Sequence, residues 1–322
     1  MIAPGQETLQ GEVFVSISDR SLAYRWLHAI VRFVRTKPLG TFGAFLVLLM
    51  LFLAIFANQV APFGYDHREI LQRLQGPSAR HLMGTDELGR DILSRIIYGA
   101  RIAAFVGFGT VLLSMLLSSL IGTVSGYFSG IVDMIIQRIM DIFISFPPLI
   151  LLLTVAAVIG TPTAPLRWGP FTLAPAYQRV VQMIIVLGVL FSFPASRIIR
   201  GATLTVRNNL YIEGAQTIGA SSTRILLRYI LPNVFPTIIV IASLQLATAI
   251  LVEATLSFLA LGIPPPVPSW GSMLSGIARD KLRQDPWLTI WPGVAISLAV
   301  YGFNMFGDAL RDVLDPRLRG TR

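Results

Sequence analysis

Cysteine is absent from this 322-residue chain and charge is scarce, with Asp, Glu, Lys and Arg making up only 13% of it. Without a thiol there is no disulfide framework, no thiolate nucleophile and no Cys-based metal site, and the redox compartment leaves no mark on the sequence. Histidine is nearly missing too: His28, His67 and His81 are not spaced as metal ligands, and none lies beyond position 81 to activate a serine. Lysine occurs only at Lys37, after Thr36, and Lys281, after Asp280, so no G-x-x-x-x-G-K-[ST] loop exists to cradle ATP phosphates. The first 36 residues carry no apolar h-region, and no cleavable signal peptide is expected.

What is present is apolar. A hydrophobic share of 54% and a mean hydropathy of +0.68 lie far outside soluble globular usage and identify a membrane protein. The net charge of +9 does not point to nucleic acid, because the basic residues gather around apolar runs without aromatic interleaving. A helix needs about 20 apolar residues to cross a ~30 Å hydrocarbon core. Six runs qualify: Gly40 to Ala61, Ile102 to Phe128, Ile142 to Gly160, Tyr177 to Ser196, Pro232 to Leu251 and Trp287 to Gly307. They are continuous rather than alternating, which excludes a barrel and predicts an all-α membrane protein with six transmembrane helices. Arg179 and Arg197, flanking the fourth run, are expected to snorkel from its ends.

Orientation follows from Lys and Arg in the short connections. The N-terminal segment holds Arg20, Arg25, Arg32, Arg35 and Lys37; the connection after the fourth run holds Arg197, Arg200, Arg207, Arg224 and Arg228; the tail holds Arg311, Arg317, Arg319 and Arg322. All three are assigned to the cytoplasmic side, with both termini inside. The segment after the first run then falls outside despite Arg68, Arg73, Arg80, Arg90 and Arg95, which Asp66, Glu69, Asp86, Glu87 and Asp91 balance formally.

The stretch "YIEGAQTIGASSTRILLRYILPN", Tyr211 to Asn233, is polar and rich in small residues between two apolar runs. It predicts a short helix ending near Ile218, a left-handed turn at Gly219, a restart capped by Ser221 or Ser222, and a break at Pro232 that opens the fifth span. Ile212, Ala215 and Gly219 form a narrow face that would let another surface approach, with Glu213 to one side. By itself the pattern suits equally a solvated hairpin between two spans.

The same stretch resembles the EAA loop of permease subunits in ATP-binding-cassette importers, through Glu213, Ala215, Gly219, Leu231 and Pro232 at the family's spacing. Gly214 replaces an alanine, a change that costs a helix up to ~1 kcal/mol, and Tyr229 stands where isoleucine is usual. "GTDELGRDILSRIIYGAR", "VEATLSFLALGIPPPVPSWGSML" and "GDALRDVLDPRL" further resemble the second, C-type permease of dipeptide and oligopeptide importers. The resemblance runs from about Thr36 to Arg319. It implies a type I importer permease fold with an added N-terminal span before a five-span core. The divisions would be a cytoplasmic segment 1–37, a first span and external connection 38–98, a core 99–311 containing the coupling loop 203–231, and a cytoplasmic tail 312–322. It also implies the bacterial cytoplasmic membrane, a homologous permease partner, two cytoplasmic ATPase subunits that bind ATP and Mg, and an external solute-binding protein. Glu213, Gly214, Ala215, Gly219, Leu231 and Pro232 would form the ATPase-coupling site. No catalytic, metal or cofactor site is implied in this chain. Peptides are the first substrate class, with nickel, glutathione and antimicrobial peptides left open.

Other features are weighed without the resemblance. Arg138 and Asp141 suggest a local ion pair. Phe146, Pro147 and Pro148 interrupt the third span, as a bend that is structural or lines a pathway. Gly262 to Pro286 reads as an extended proline segment, then a short helix Gly271 to Leu282 lying along the interface with Trp270 as aromatic anchor, and it is a candidate gate or docking surface. The acid and arginine pattern of Gly84 to Arg95 is a second docking candidate. Glu253 is the one acid in its apolar stretch; at ~1.5 Å per residue it lies about 31 Å from Pro232, near the outer edge of the core. Glu253 and Trp270 are the candidate residues of an outer gate or pathway. A stand-alone secondary transporter would show paired broken spans around midplane acids, and a membrane enzyme a cluster of acids or histidines at one depth; neither pattern is seen.

Overall fold

The computed structural model describes residues 31–168, 171–280 and 283–314. Arg20, Arg25, His28, Lys281, Arg317, Arg319 and Arg322 lie outside the described residues, as do most of the 1–37 segment and of the tail.

Pro38 opens α1 (Pro38–Ile55), where its missing N–H is no loss, and a short α2 (Ala57–Val60) follows. After an irregular connection, α3 (Ile92–Phe128) runs for 37 residues, starting at Ile92 rather than Ile102 because Asp91 caps it: its Oδ2 accepts from Ser94 N at 2.7 Å. The third span is a bent pair, α4 (Gly130–Ile144) and α5 (Pro148–Ile159), meeting at 84° where Phe146, Pro147 and Pro148 stop one helix and start the next. A small antiparallel hairpin, β1 (Leu166–Trp168) and β2 (Phe171–Leu173), then leads into α6 (Pro175–Arg207). No pattern in the sequence announced the hairpin. The chain continues through α7 (Leu210–Thr217), α8 (Ser222–Ile225), a π-turn at Leu226–Ile230 and α9 (Leu231–Phe258). α10 (Trp270–Met273), α11 (Ile277–Asp280) and α12 (Trp287–Leu314) complete it. Five helices are long and apolar enough to cross a membrane, and the bent pair makes 6.

α3, α6 and α9 form the centre, with α1 and α12 packed beside them. Val47, Met50, Ala103, Ala247, Ile250 and Phe303 interlock α1, α3, α9 and α12. Val106, Leu152, Met183, Leu187 and Leu256 join α3, α5, α6 and α9. Between these clusters Gln245 pins three spans together, accepting from Ser114 Oγ at 3.0 Å and donating to Phe191 O at 3.2 Å. Phe45, Leu48, Leu112 and Leu116 point outward, as expected where the solvent is lipid.

Five expectations change here. Pro232 does not break the fifth span: α8, the π-turn and α9 form one continuous 37-residue rod, Ser222–Phe258. The π-turn loosens the ladder just ahead of Pro232, with Leu231 N reaching back to Leu226 O, and Asn233 Nδ2 covers Tyr229 O at 2.6 Å. Arg179 does not snorkel. It is buried and donates to Gly160 O (2.7 Å), Ala156 O (3.2 Å) and Leu261 O (2.5 Å), because carbonyls at the ends of α5 and just past α9 offer a nearer partner than the interface. Asp141 pairs with Arg197 of α6 and not with Arg138, which is exposed. Trp270 is no interfacial anchor: it sits in the core against Gly99, whose missing side chain makes room for the ring, and its Nε1 donates to Ile96 O at 2.9 Å. The helix expected over Gly271 to Leu282 is divided between α10 and α11 around Gly276 at φ +61°.

Candidate functional site

Asn209 turns the chain at the end of α6, and α7 leaves as a separate helix with Glu213 in its first turn. Its far end is a Schellman closure: Ala220 N donates to Ala215 O (3.0 Å) and Gly219 N to Gln216 O (2.9 Å), with Gly219 in the left-handed region at φ +80°. Ser221 then caps α8, accepting from Arg224 N at 3.4 Å. The knuckle expected from the sequence is thus built, from Leu210 to the π-turn.

Its faces are assigned differently from the expectation. Ile212 and Ala215 are both buried within this chain, and Ile212 joins a cluster with Tyr127, Ile199, Ile225 and Ile230, so the narrow face is turned inward and Ile212 ties α7 to α3, α6 and α9. Apolar side chains at that spacing are drawn first to the nearest core. The outward face carries Leu210 and Ile218, 82% and 83% exposed, with Tyr211, Glu213 and Gly214 between them. Leu227, Arg224 and Arg228 are exposed alongside. Glu213, Arg224 and Arg228 make no ion pair among the described residues. Gly214 and Gly219 have open space where a Cβ would stand, so only the backbone conformation of Gly219 demands glycine. Leu231 is half-buried against the same cluster and Pro232 is exposed. Around the base, Arg200 clamps Asp133 with two contacts (2.6 and 2.5 Å), and Arg207 reaches Ser129 Oγ.

At the opposite end, the 62–91 connection folds over the start of α3. Asp86 accepts from Leu88 N and Arg90 N (both 2.9 Å) and from Arg90 Nε (2.7 Å). His81 Nδ1 lies 2.9 Å from Asp91 Oδ1, and both residues are buried. The acid and arginine pattern of Gly84 to Arg95, expected as docking charge, is therefore mostly interior scaffolding: Asp86, Arg90, Asp91 and Arg95 are all buried. Sequence spacing alone does not separate charges that meet a partner from charges that meet each other. Glu253 is buried in α9, accepts from Ser257 Oγ at 2.7 Å and is kept from lipid. A cavity of ≈ 450 Å³ opens at this end, lined by residues of the 86–95 segment and of the 257–278 loop. Glu253 and Trp270 are not among its lining residues.

Comparison with known proteins agrees with this architecture. Residues 118–320 match the family described as binding-protein-dependent transport system inner membrane component. Residues 25–77 match the N-terminal TM domain of oligopeptide transport permease C. A dipeptide transport system permease protein of Alkalihalophilus pseudofirmus is 37% identical over 295 residues, 91% of this chain and 90% of that protein. Glutathione transport system permease proteins of Pectobacterium atrosepticum (38%; 94% and 95% covered) and Shigella flexneri (40%; 91% and 91% covered) are similarly alike. Long identity across both family regions, on a bundle with a clamped knuckle at one end, places this chain among the inner membrane permease components of binding-protein-dependent transport systems.

Proposed function

We propose that the chain forms half of the translocation pathway of an ATP-driven importer of di- or oligopeptides in a bacterial cytoplasmic membrane. Its partners would be a homologous permease, two ATPase subunits and an external solute-binding protein, with ATP and Mg held on the ATPases. The observation that carries the reading is the two-sided knuckle, held inward by Ile212 with Ala215 buried beside it and presenting Leu210, Tyr211, Glu213 and Ile218 outward. A helix so mounted passes a push from a seated partner into α6 and α9 rather than yielding to it. The apolar outward side of α4 and α5, with Ile131, Ile135, Ile142, Leu149 and Ile150 exposed, suits the second permease. Glutathione is a second reading, favoured by the relatives named for it; it is itself a small peptide with free carboxylates.

The test is gentle purification with mass-spectrometric identification of the partners, then ligand screening on the binding protein that copurifies. Peptide or glutathione binding is the expected result; recovery without ATPase subunits overturns the importer reading. Because cysteine is absent, topology is read directly: Thr223→Cys should react with an impermeant maleimide only from the cytoplasmic side and Leu71→Cys only from outside. Labelling of Thr223→Cys in intact cells would remove the knuckle from any cytoplasmic ATPase.

A further inference from the structure

The cavity opposite the knuckle has a volume of ≈ 450 Å³, within the range of ~300–1,000 Å³ that holds small ligands. Its lining is mixed: Ile263, Pro264, Met273 and Leu288 are apolar, and Asp86, Glu87, Arg90 and Arg95 are charged. Among the charged lining residues Arg90 is committed. Its Nε donates to Asp86 at 2.7 Å and its Nη2 to Glu87 at 3.3 Å. Arg95 is not committed to the same degree. Its side chain is 9% exposed, yet among the described residues its one hydrogen bond runs from Nη1 to Tyr65 O at 3.2 Å. Asp86 Oδ2 forms an ion pair with its Nε at 3.6 Å, beyond hydrogen-bond reach, and shares that oxygen with Arg90 at 2.7 Å, so Arg95 keeps N–H donors without an acceptor.

A guanidinium carries five N–H donors in a planar fork that matches a carboxylate bidentately. Removed from bulk water and left with donors to spare on the wall of a ligand-sized cavity, it gains by receiving an anion. The apolar lining residues suit aliphatic side chains, and Glu87, with its side chain 35% exposed, adds an anionic group to the same cavity. We propose that this cavity is a subsite for a small peptide, with Arg95 receiving its C-terminal carboxylate. It rests on the importer reading and narrows the cargo to peptides with a free C-terminal acid.

The probes are alanyl-alanine and its C-terminal amide, titrated against the full chain in lipid nanodiscs by ligand-observed NMR. The free acid should bind at least tenfold more tightly than the amide. Arg95→Gln should reduce acid binding to the amide level, Arg95→Lys should restore part of the difference, and Thr161→Trp, at an exposed position on the cavity rim, should weaken both probes alike. Equal binding of acid and amide, no binding of either, or undiminished discrimination in Arg95→Gln would overturn the subsite. If Arg95→Gln does not fold, as judged by its melting, unchanged acid binding in Thr161→Trp overturns it instead. Because the chain is measured without partners, acid preference in a system that imports nothing defeats the importer reading and spares the subsite. Import unaffected by Arg95→Gln does the reverse.

Discussion

The two ends of the bundle both concentrate charge, and they treat it in opposite ways. In the 62–91 connection Asp86, Arg90 and Asp91 are buried and face one another or backbone amides, so their charges are consumed in holding the segment over α3. On the knuckle Glu213, Arg224 and Arg228 stay exposed, while the clamping is done by Ile212, Ile225 and Ile230. One end is a polar scaffold and the other an apolar clamp carrying a polar outer face. Charge that is desolvated must be answered within the chain; charge left in water is available to a second protein.

Substitutions at the two ends sharpen this contrast. The largest effect is expected from Asp86→Ala, which takes from buried Arg90 its shortest partner, leaving Glu87 at 3.3 Å and Asp66 at 3.6 Å, and leaves the amides of Leu88 and Arg90 without their acceptor; breaking a buried pair costs about 3–5 kcal/mol, read as a large drop in melting temperature of the purified chain. A small change there would mean that the charges are not the scaffold. Ile212→Ala should cost about 2–5 kcal/mol through a cavity under α7, seen as faster hydrogen exchange confined to residues 210–231. Exchange spread across the bundle would deny the knuckle its separate clamp.

Gly219→Leu should cost about 1–3 kcal/mol by forcing a branched residue to φ +80°, and should uncouple ATP hydrolysis from transport while permease pairing persists. Transport at the wild-type rate would remove the turn from the coupling path. Gly214→Ala runs the other way: nothing occupies the added methyl's space, so the helix gains up to about 1 kcal/mol, checked by melting. The smallest effect belongs to Glu213→Ala, with stability unchanged within about 0.5 kcal/mol and a mild loss of coupled transport. A large stability loss would show that Glu213 has an internal partner after all.

Most of the bundle was legible because hydropathy reports residues that face lipid or core, and both are apolar in a membrane. The run from Ile142 marked its own break at Phe146, Pro147 and Pro148, since proline chemistry is local. The knuckle's turn was legible for the same reason: a left-handed closure wants glycine, and Gly219 supplies it. Direction was what stayed hidden. Arg179 looked like a snorkelling end residue until α5 and the segment after α9 brought three carbonyls to it from 156, 160 and 261. Trp270 looked interfacial until Gly99, far away in the chain, offered it a slot. The face of Ile212 and Ala215 was read correctly as a contact face and assigned to the wrong contact, because periodicity says that a face is covered and not by what.

The π-turn at Leu226–Ile230 sets an angle. Ile225 and Ile230 are both buried although five positions apart, a spacing that an unbroken α-helix would place on different sides. Beyond the turn Val234, Ile238 and Ile241 resume ordinary helical intervals. The extra residue is a phase slip of about 100° between the knuckle and the span above it. The azimuth at which α7 meets whatever sits beneath it is thus written in the count of residues between Ser221 and Pro232, as the length of a key's shank fixes which way the bit points. The exposed side chains of that segment, Leu227 and Arg228 among them, can vary and leave the angle alone, whereas the loss of one residue turns the whole face away.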